Sequence, residues 1–161
     1  EKDAFFKDHP HSPLNHAQKA VFKGLRYFEY NADLILNAQL ELFETNNVAQ
    51  IMTTDNEIRN YERYGTFTFG DSGARLTVYK TPHGFFLPFS DASKETYSMG
   101  RYLDVALGEN DRFYIDFNLA YNPFCAFSDE YSCPITPKEN HLSIPILAGE
   151  KLPDPQIIKH K

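Results

Sequence analysis

Two aspartates, Asp104 and Asp116, are the residues best placed to do chemistry. They lie on two predicted strands that flank a turn at residues 108–111, and the apolar residues of both strands must share one face. That requirement pairs Val105 with Ile115 and sets Asp104 opposite Asp116, with Cβ atoms about 5 Å apart. Two carboxylates at that distance repel unless one is protonated or a cation lies between them. Such a pair serves acid–base catalysis or cation binding, whereas a fully solvated pair would splay apart and do neither.

Other polar residues near this hairpin could complete a ligand pocket. An arginine fork binds carboxylate or phosphate groups, and amide and phenol groups bind small polar ligands. The alternative for the arginine is an internal ion pair, and the alternative for the asparagines is hydrogen bonding to loop backbone. The predicted ligand-binding set is Arg101, Asp104, Asp116, Asn118, Tyr121, Asn122 and Glu139.

Cys125 and Cys133 are the two cysteines of the chain. They are close enough in sequence to form a disulfide in an oxidising compartment, and in a reducing compartment they would remain free thiols. Their regular spacing with His141 lacks the C-x-x-C motif of a zinc knuckle, so we predict neither a metal site nor a cofactor. A nucleophilic role for Cys125 would require a positioned base, which the sequence does not identify.

The composition indicates one β-rich domain. The chain has 161 residues, 42% of them hydrophobic, which suits a single core built from residues 1–161. Aromatic residues make up 15% and include no Trp, a bias that favours strands over helices. The net charge of −6 argues against nucleic acid as a partner, and no apolar run approaches the length of a membrane-spanning helix.

The two ends of the chain differ from its middle. Residues 1–25 contain one predicted helix, which Ser12 caps, with Pro13 in its first turn. Residues 150–161 are predicted to be a loose tail, because two prolines interrupt regular structure there.

The middle, residues 26–149, is the predicted β core. Alternating apolar residues bounded by Gly, Asn and Pro turns predict eight short strands. These strands cover residues 33–43, 48–53, 64–69, 74–80, 85–89, 101–107, 112–119 and 141–147. We therefore expect an antiparallel sandwich or a partly closed barrel with one N-terminal helix.

Residues 121–140 have no clear period but are rich in aromatic residues and proline, which predicts an ordered loop covering a pocket. The first functional interpretation is a domain that binds a small polar ligand or a cation beneath this loop. The second is a hydrolase that uses the two aspartates or Glu139 as acid and base. The third is a structural domain of the cell envelope without a site.

A distinctive motif begins at Asp116. It reads D-F-N-x-A-Y-N-P-x-C-A-F over residues 116–127 and continues as C-P-x-x-P-x-E-N over residues 133–140. Together with G-R-Y-L-D over residues 100–104, it resembles the signature of a bacterial domain-of-unknown-function family. The resemblance implies no activity. Many members of that family resemble exported proteins or lipoproteins, and by that analogy the missing initiator Met indicates a removed leader. We therefore expect export to the periplasm or cell envelope, with a cytoplasmic location as the alternative.

Overall fold

The computed structural model describes all 161 residues, which form eight strands and three short helices. The longest helix has seven residues, and none is long and apolar enough to cross a membrane. The helices are α1 (Lys2–Asp8), α2 (His16–Val21) and α3 (Pro155–Lys159). The strands are β1 (Ile35–Gln39), β2 (Glu41–Leu42), β3 (Val48–Met52), β4 (Ile58–Phe69), β5 (Ala74–Thr81), β6 (Gly84–Phe89), β7 (Arg101–Leu107) and β8 (Arg112–Asp116).

The sheet closes into a barrel because one stretch of chain belongs to both of its ends. The strand order is β1-β8-β7-β6-β5-β4-β2, with antiparallel neighbours, and β3 extends the sheet beside the first half of β4. β1 and β2 are separated only by Leu40, so pairing of β1 with β8 and of β2 with β4 joins the two ends. The predicted mainly β fold with a partly closed barrel is confirmed. The single strand predicted over residues 33–43 is split at Leu40, where the chain changes partner.

The closure requires a glycine at position 65. Gly65 pairs with Leu42, and a Cβ on this residue would lie 3.0 Å from the Glu41 carbonyl oxygen and 3.0 Å from the Leu40 side chain. A larger residue would therefore push β2 away from β4 and open the barrel.

Apolar side chains that alternate along the strands fill the barrel interior. Two edge-to-face aromatic pairs cross it: Phe85 and Phe113 with ring centroids 4.8 Å apart, and Phe89 and Phe117 with centroids 5.3 Å apart. The buried members of this core are Leu40, Phe67, Leu76, Val78, Leu87, Phe89, Leu103, Val105, Phe113, Ile115, Phe117, Ala120, Leu142, Ile146 and Ala148. Because successive side chains alternate between the two faces, the residues between these positions project from the outside of the barrel.

Two predicted strands have different bounds in the structure. β4 begins at Ile58 rather than Tyr64, and it contains an irregularity between Arg63 and Gly65. β8 ends at Asp116 because this side chain accepts a hydrogen bond from the backbone of the 3-10 turn Phe117–Leu119, which takes the chain out of the sheet.

No strand forms over residues 141–147, where one was predicted. The apolar residues of this segment are buried as predicted, since Leu142 and Ile146 face the barrel core. The backbone bonds go elsewhere: the Ile146 amide donates to Asp91 (2.6 Å), and its carbonyl accepts from Arg101 (2.9 Å). Buried side chains thus bond the backbone amide and carbonyl that would otherwise pair with a neighbouring strand.

The N-terminal helix was predicted to begin at Pro13, but α2 begins at His16. Asn15 caps it, accepting from the Gln18 amide while the Gln18 side chain accepts from the Asn15 amide. The Ser12 hydroxyl instead donates to the Phe6 carbonyl of α1 (2.5 Å). This bond connects the turn between α1 and α2 to the end of α1.

The C-terminal segment 150–161 is not a loose tail, contrary to the prediction. Asp154 caps α3, and Pro155 occupies the first helical turn, where its missing N–H costs nothing. Ile157 is buried and packs with Phe6 and Phe127 in a second apolar cluster, formed by the three helices and part of the 121–140 loop. Pro155 therefore starts a helix instead of breaking one.

Candidate functional site

A hollow of about 570 Å³ lies on the outside of the barrel, where β4, β6 and β7 meet the 121–140 loop. Five aromatic residues line it, and we call it the aromatic groove. Phe85 also packs against the barrel core, and the other four rings contact one another in series: Tyr61, Phe86, Tyr102 and Tyr121. The polar lining residues include Arg59, Asn60, Thr81, His83 and Asp104.

The four rings form a continuous series. Ring centroids are 5.9 Å apart between Tyr61 and Phe86, 4.9 Å between Phe86 and Tyr102, and 5.9 Å between Tyr102 and Tyr121. Phe86 and Tyr102 project outward because their neighbours Leu87 and Leu103 face the core. The last two contacts are edge-to-face, the arrangement that aromatic quadrupoles favour.

Hydrogen bonds hold two of these rings in place. The Tyr102 hydroxyl donates to the Pro134 carbonyl, and the Tyr121 hydroxyl donates to Asp104 Oδ2 (3.1 Å). Burial raises the pKa of both phenols, and the Asp104 carboxylate raises that of Tyr121 further. Both tyrosines therefore stay protonated near neutral pH, as hydrogen-bond donors.

Hydrogen bonds through Ser132 link the guanidinium of Arg59 to the carboxylate of Asp55. Arg59 Nη2 donates to Ser132 Oγ (2.9 Å), and Ser132 Oγ donates to Asp55 Oδ1 (2.6 Å). The hydrogen bond from Ser132, and next the one from Thr53, keeps the pKa of Asp55 below its ordinary value. This chain of contacts ties the 121–140 loop to β4 at one end of the groove.

A second hollow of about 500 Å³ lies beside the aromatic groove, and we call it the loop hollow. The two hollows share Tyr102, Tyr121 and Pro134. The loop hollow is also lined by Lys2, Phe6, Asn122, Pro123, Phe124, Tyr131, Ser132 and Cys133.

The polar contacts of the loop hollow centre on a buried carboxylate. Lys2 forms an ion pair with Glu150, and its ammonium also lies 5.3 Å from the centroid of the Tyr121 ring. Burial raises the pKa of Glu150 above its ordinary value, while Lys2 lowers it. Asn122 donates to the Lys151 carbonyl (2.8 Å), and its buried Oδ1 has no hydrogen-bond partner.

A disulfide joins Cys125 and Cys133. Both residues are buried, and their Cα atoms are 6.4 Å apart. The Cys133 amide donates to the Thr54 hydroxyl (3.1 Å). The bridge therefore encloses the part of the loop that carries Tyr131 and Ser132, two residues of the loop hollow wall.

The structure brings together only three of the predicted ligand-binding residues. Asp104 and Tyr121 line the aromatic groove, and Tyr121 and Asn122 line the loop hollow. The other four do not line either hollow: Arg101, Asp116, Asn118 and Glu139.

Arg101 is completely buried and holds the chain near Glu150. It donates to the carbonyls of Ile146 (2.9 Å), Ala148 and Glu150 (3.0 Å), and its guanidinium lies 3.5 Å from the Asp91 carboxylate. Burial lowers the pKa of Arg101 to about 10, so it keeps its charge at neutral pH. All of its strong acceptors are internal, so it has a structural role.

The predicted pairing of Asp104 with Asp116 is wrong. β7 and β8 pair in the predicted register only at Ala106 with Tyr114 and Leu107 with Phe113. After Asp116 the chain leaves β8 through the 3-10 turn Phe117–Leu119, and the residue that pairs with Tyr102 of β7 is Tyr121. The paired carboxylates on which the hydrolase interpretation depends are therefore not assembled.

Asp116 and Asn118 hold a neighbouring segment instead of a ligand. Asp116 Oδ1 accepts from the backbone and side-chain amides of Asn118, both at 2.9 Å. The Asn118 side chain in turn exchanges two hydrogen bonds of 2.9 Å with the backbone of Asn31.

Glu139 is also engaged within the fold. It forms an ion pair with Arg63 (3.0 Å) and accepts from the hydroxyl of the buried Tyr79. Burial, and next this hydrogen bond, raises the pKa of Tyr79. The contacts attach Glu139 to β4 and β5, and Glu139 does not line the groove.

Sequence reasoning missed three of the four rings in series along the groove, namely Tyr61, Phe86 and Tyr102. A signal was present in the run F-F-L-P-F over residues 85–89, which is apolar at every position. A strand that faces water on one side alternates, so an uninterrupted apolar run indicates that both faces are covered. No group of three or more His, Cys, Asp or Glu side chains is placed to hold a metal ion.

Comparisons with other proteins identify a family for this chain but no activity. A family model described as "Protein of unknown function (DUF1684)" matches residues 20–151. The chain is also similar to an uncharacterized protein of Haloarcula marismortui with a solution NMR structure, at 33% sequence identity over 93% of this chain and 88% of that chain, with a TM-score of 0.68. No curated protein matches the chain. Neither likeness assigns an activity or a ligand.

Proposed function

We propose that this chain, which belongs to the DUF1684 family of proteins of unknown function, is a binding domain that holds a small organic ligand in the aromatic groove. The observation that carries this proposal is the lining of one hollow of about 570 Å³ by five aromatic side chains from three strands and a loop. Ligand pockets commonly have volumes of about 300–1,000 Å³ and mostly apolar walls.

The chemistry of the groove suits a ligand with an apolar body and a polar end. The rings of Tyr61, Phe86 and Tyr102 offer apolar and stacking contacts, while polar side chains such as His83 and Asp104 line the same hollow. A few polar groups around an apolar surface fix the orientation of a ligand.

The groove is organised before a ligand enters. The hydroxyls of Tyr102 and Tyr121 are bonded to Pro134 and Asp104, and the rings contact one another. A binding site whose side chains are already ordered pays less conformational entropy on binding. This order of the side chains favours a ligand-binding role for the groove, as opposed to an apolar surface without a function.

The hydrolase alternative has less support. It needs two carboxylates near one reacting bond, but Asp116 caps a 3-10 turn and Glu139 is paired with Arg63. Asp104 is the only carboxylate that lines the groove. A purely structural domain is the remaining alternative, and the binding experiment separates it from our proposal.

The test is an NMR titration of the full chain with small aromatic and alkyl compounds of both charge signs. We expect resonances of Tyr61, Phe86 and Tyr102 to shift in a saturable way with at least one compound class. Phe86→Leu should weaken that binding because it removes a ring from the wall. Phe28→Leu is the matched control, since Phe28 is also half-buried but contacts Lys151 outside the groove.

Two results would overturn the proposal. One is the absence of saturable shifts in the groove with every compound, which would favour the structural alternative. The other is equal loss of affinity in Phe86→Leu and Phe28→Leu, which would show that binding does not involve the groove.

We further propose that the protein works in an oxidising compartment, as export would provide. The support is the disulfide between Cys125 and Cys133, because such bonds persist mainly outside the reducing cytosol. Alkylation of protein taken directly from its native cells, followed by mass spectrometry, should find both cysteines protected. Two alkylated thiols would contradict this proposal.

A further inference from the structure

Asp104 is the carboxylate of the aromatic groove and has no ion-pair partner. It is an exposed residue and the only carboxylate among the lining residues, and no cationic side chain lies within ion-pair distance of it. Its one side-chain hydrogen bond comes from the neutral hydroxyl of Tyr121 (3.1 Å). One carboxylate oxygen, Oδ1, therefore remains open to a ligand.

Neither of the two cations in this region pairs with Asp104. Arg59, which also lines the groove, donates to Ser132 and is linked through it to Asp55, and Lys2 forms an ion pair with Glu150 in the loop hollow. A cationic ligand would therefore supply the partner that Asp104 lacks.

The rings around Asp104 also favour a cation. Phe86 lies directly opposite Asp104 in the pairing of β6 with β7, and Tyr102 and Tyr121 line the same hollow. The faces of aromatic rings carry negative electrostatic potential and attract ammonium groups, more strongly where water is partly excluded.

The molecule already places one ammonium on this aromatic wall. Lys2 Nζ lies 5.3 Å from the centroid of the Tyr121 ring, within cation–π range. Tyr121 lines both the loop hollow, where Lys2 lies, and the aromatic groove. The contact shows that an ammonium is accepted against this ring.

We infer that the ligand of the aromatic groove is an organic cation, whose ammonium group lies beside Asp104 and against the surrounding rings. This inference rests on the proposed binding function and adds the charge class of the ligand. The net charge of −6 supports it, because a negative protein raises the local concentration of cations.

Three compounds of one shape and different charge test the inference. Choline is the cation, 3,3-dimethylbutan-1-ol is its neutral counterpart, and 3,3-dimethylbutanoate is an anion of similar size. We expect choline to bind about tenfold more tightly than the alcohol, and the anion to bind more weakly than both. The affinities are measured by NMR titration of the full chain at low ionic strength.

Two substitutions at Asp104 and Asp71 separate charge from shape. Asp104→Asn should lower the affinity for choline about tenfold and that for the alcohol much less, since the substitution removes a charge and keeps the size of the side chain. Asp71→Asn, at the exposed turn between β4 and β5, makes the same change in net charge away from the groove and should alter neither affinity.

The outcomes distinguish this inference from the proposed function. If the alcohol or the anion binds as tightly as choline, the cation inference is overturned while the binding function stands. The same conclusion follows if Asp104→Asn and Asp71→Asn affect choline equally. If no compound of any charge shifts the groove resonances, both the binding function and the inference fail.

Discussion

Lys2, near the start of the chain, forms an ion pair with the almost completely buried carboxylate of Glu150. The two side chains are 44% and 2% exposed. The pair therefore attaches α1 to the barrel through one charge in water and one in the interior.

Lys2→Met should destabilise the protein because it leaves the Glu150 carboxylate without its cation. Removing one partner of a fully buried pair costs about 3–5 kcal/mol, and the exposure of Lys2 reduces the expected loss to about 1–2 kcal/mol. Urea unfolding measures it. Lys7→Met, in the same helix, is the control and should change the free energy of unfolding by less than about 0.5 kcal/mol.

The effect of Lys2→Met should depend on pH. Burial raises the pKa of Glu150 above the ordinary value of 4.5, so its contribution to stability is present below that value and is lost as pH rises through the raised pKa. Without Lys2 the pKa rises further. The difference in unfolding free energy between wild type and variant should therefore be larger at about pH 7 than at about pH 4. A difference independent of pH would show that Glu150 is not the group affected.

Arg101→Lys should lower the free energy of unfolding more than a conservative substitution usually does. A lysine cannot reproduce the planar fork that serves three backbone carbonyls and the buried Asp91. We expect a loss of about 3 kcal/mol or more in thermal or urea unfolding. Arg112→Lys is the control, because Arg112 is exposed and makes one bond, to the Asn37 carbonyl. Equal losses in both variants would contradict the structural role of Arg101.

Replacing both Cys125 and Cys133 with serine should lower the free energy of unfolding. A loop of this length gives about 2.5 kcal/mol in the loop-entropy model. The bridge also fixes the region of Pro134, which lines the groove, and of Ser132, which bonds the groove residue Arg59, so ligand affinity should fall as well. Reduced wild-type protein should behave like the double variant. Unchanged affinity in both would show that the bridge does not shape the groove.

Asp116→Ala should affect stability but not ligand binding. The side chain caps the 3-10 turn and orients Asn118, so its loss should cost about 1 kcal/mol. Asp116 does not line the groove, so the affinity for a groove ligand should equal that of wild type in the same titration. A loss of ligand affinity without a loss of stability would support the site with paired Asp104 and Asp116.

The strands most accessible to sequence reasoning are apolar or alternating runs that turn residues bound closely. β5, β6 and β7 follow this description, and the pairing of Leu107 with Phe113 follows from placing apolar side chains on one face. The splitting of a strand at Leu40 depends on a change of partner between β8 and β4, which no local pattern contains. The helix after Asp154 was missed because Pro155 serves equally as a helix breaker and as a first-turn residue.

The candidate site was harder to predict because its rings come from separate strands and a loop, which only the folded barrel brings together. Asp104 and Tyr121 were identified as polar groups near a hairpin. The ring of Phe86 looks like a core residue in sequence, and only the closed barrel shows that Leu87 fills the interior instead. Arg101 carried a plausible ligand-binding chemistry, but its acceptors lie in a segment far along the chain, which sequence spacing does not reveal.

The clustering of the terminal helices has a mechanical consequence. Phe6 and Ile157 share one apolar cluster, so the two extremities of the polypeptide are stapled to each other through the same patch. Removal of either terminal segment would expose apolar side chains of the other to water. A fragment cut to residues 20–151 would lose both Phe6 and Ile157 and expose Phe127 to water, so expression and ligand screening call for the untrimmed polypeptide.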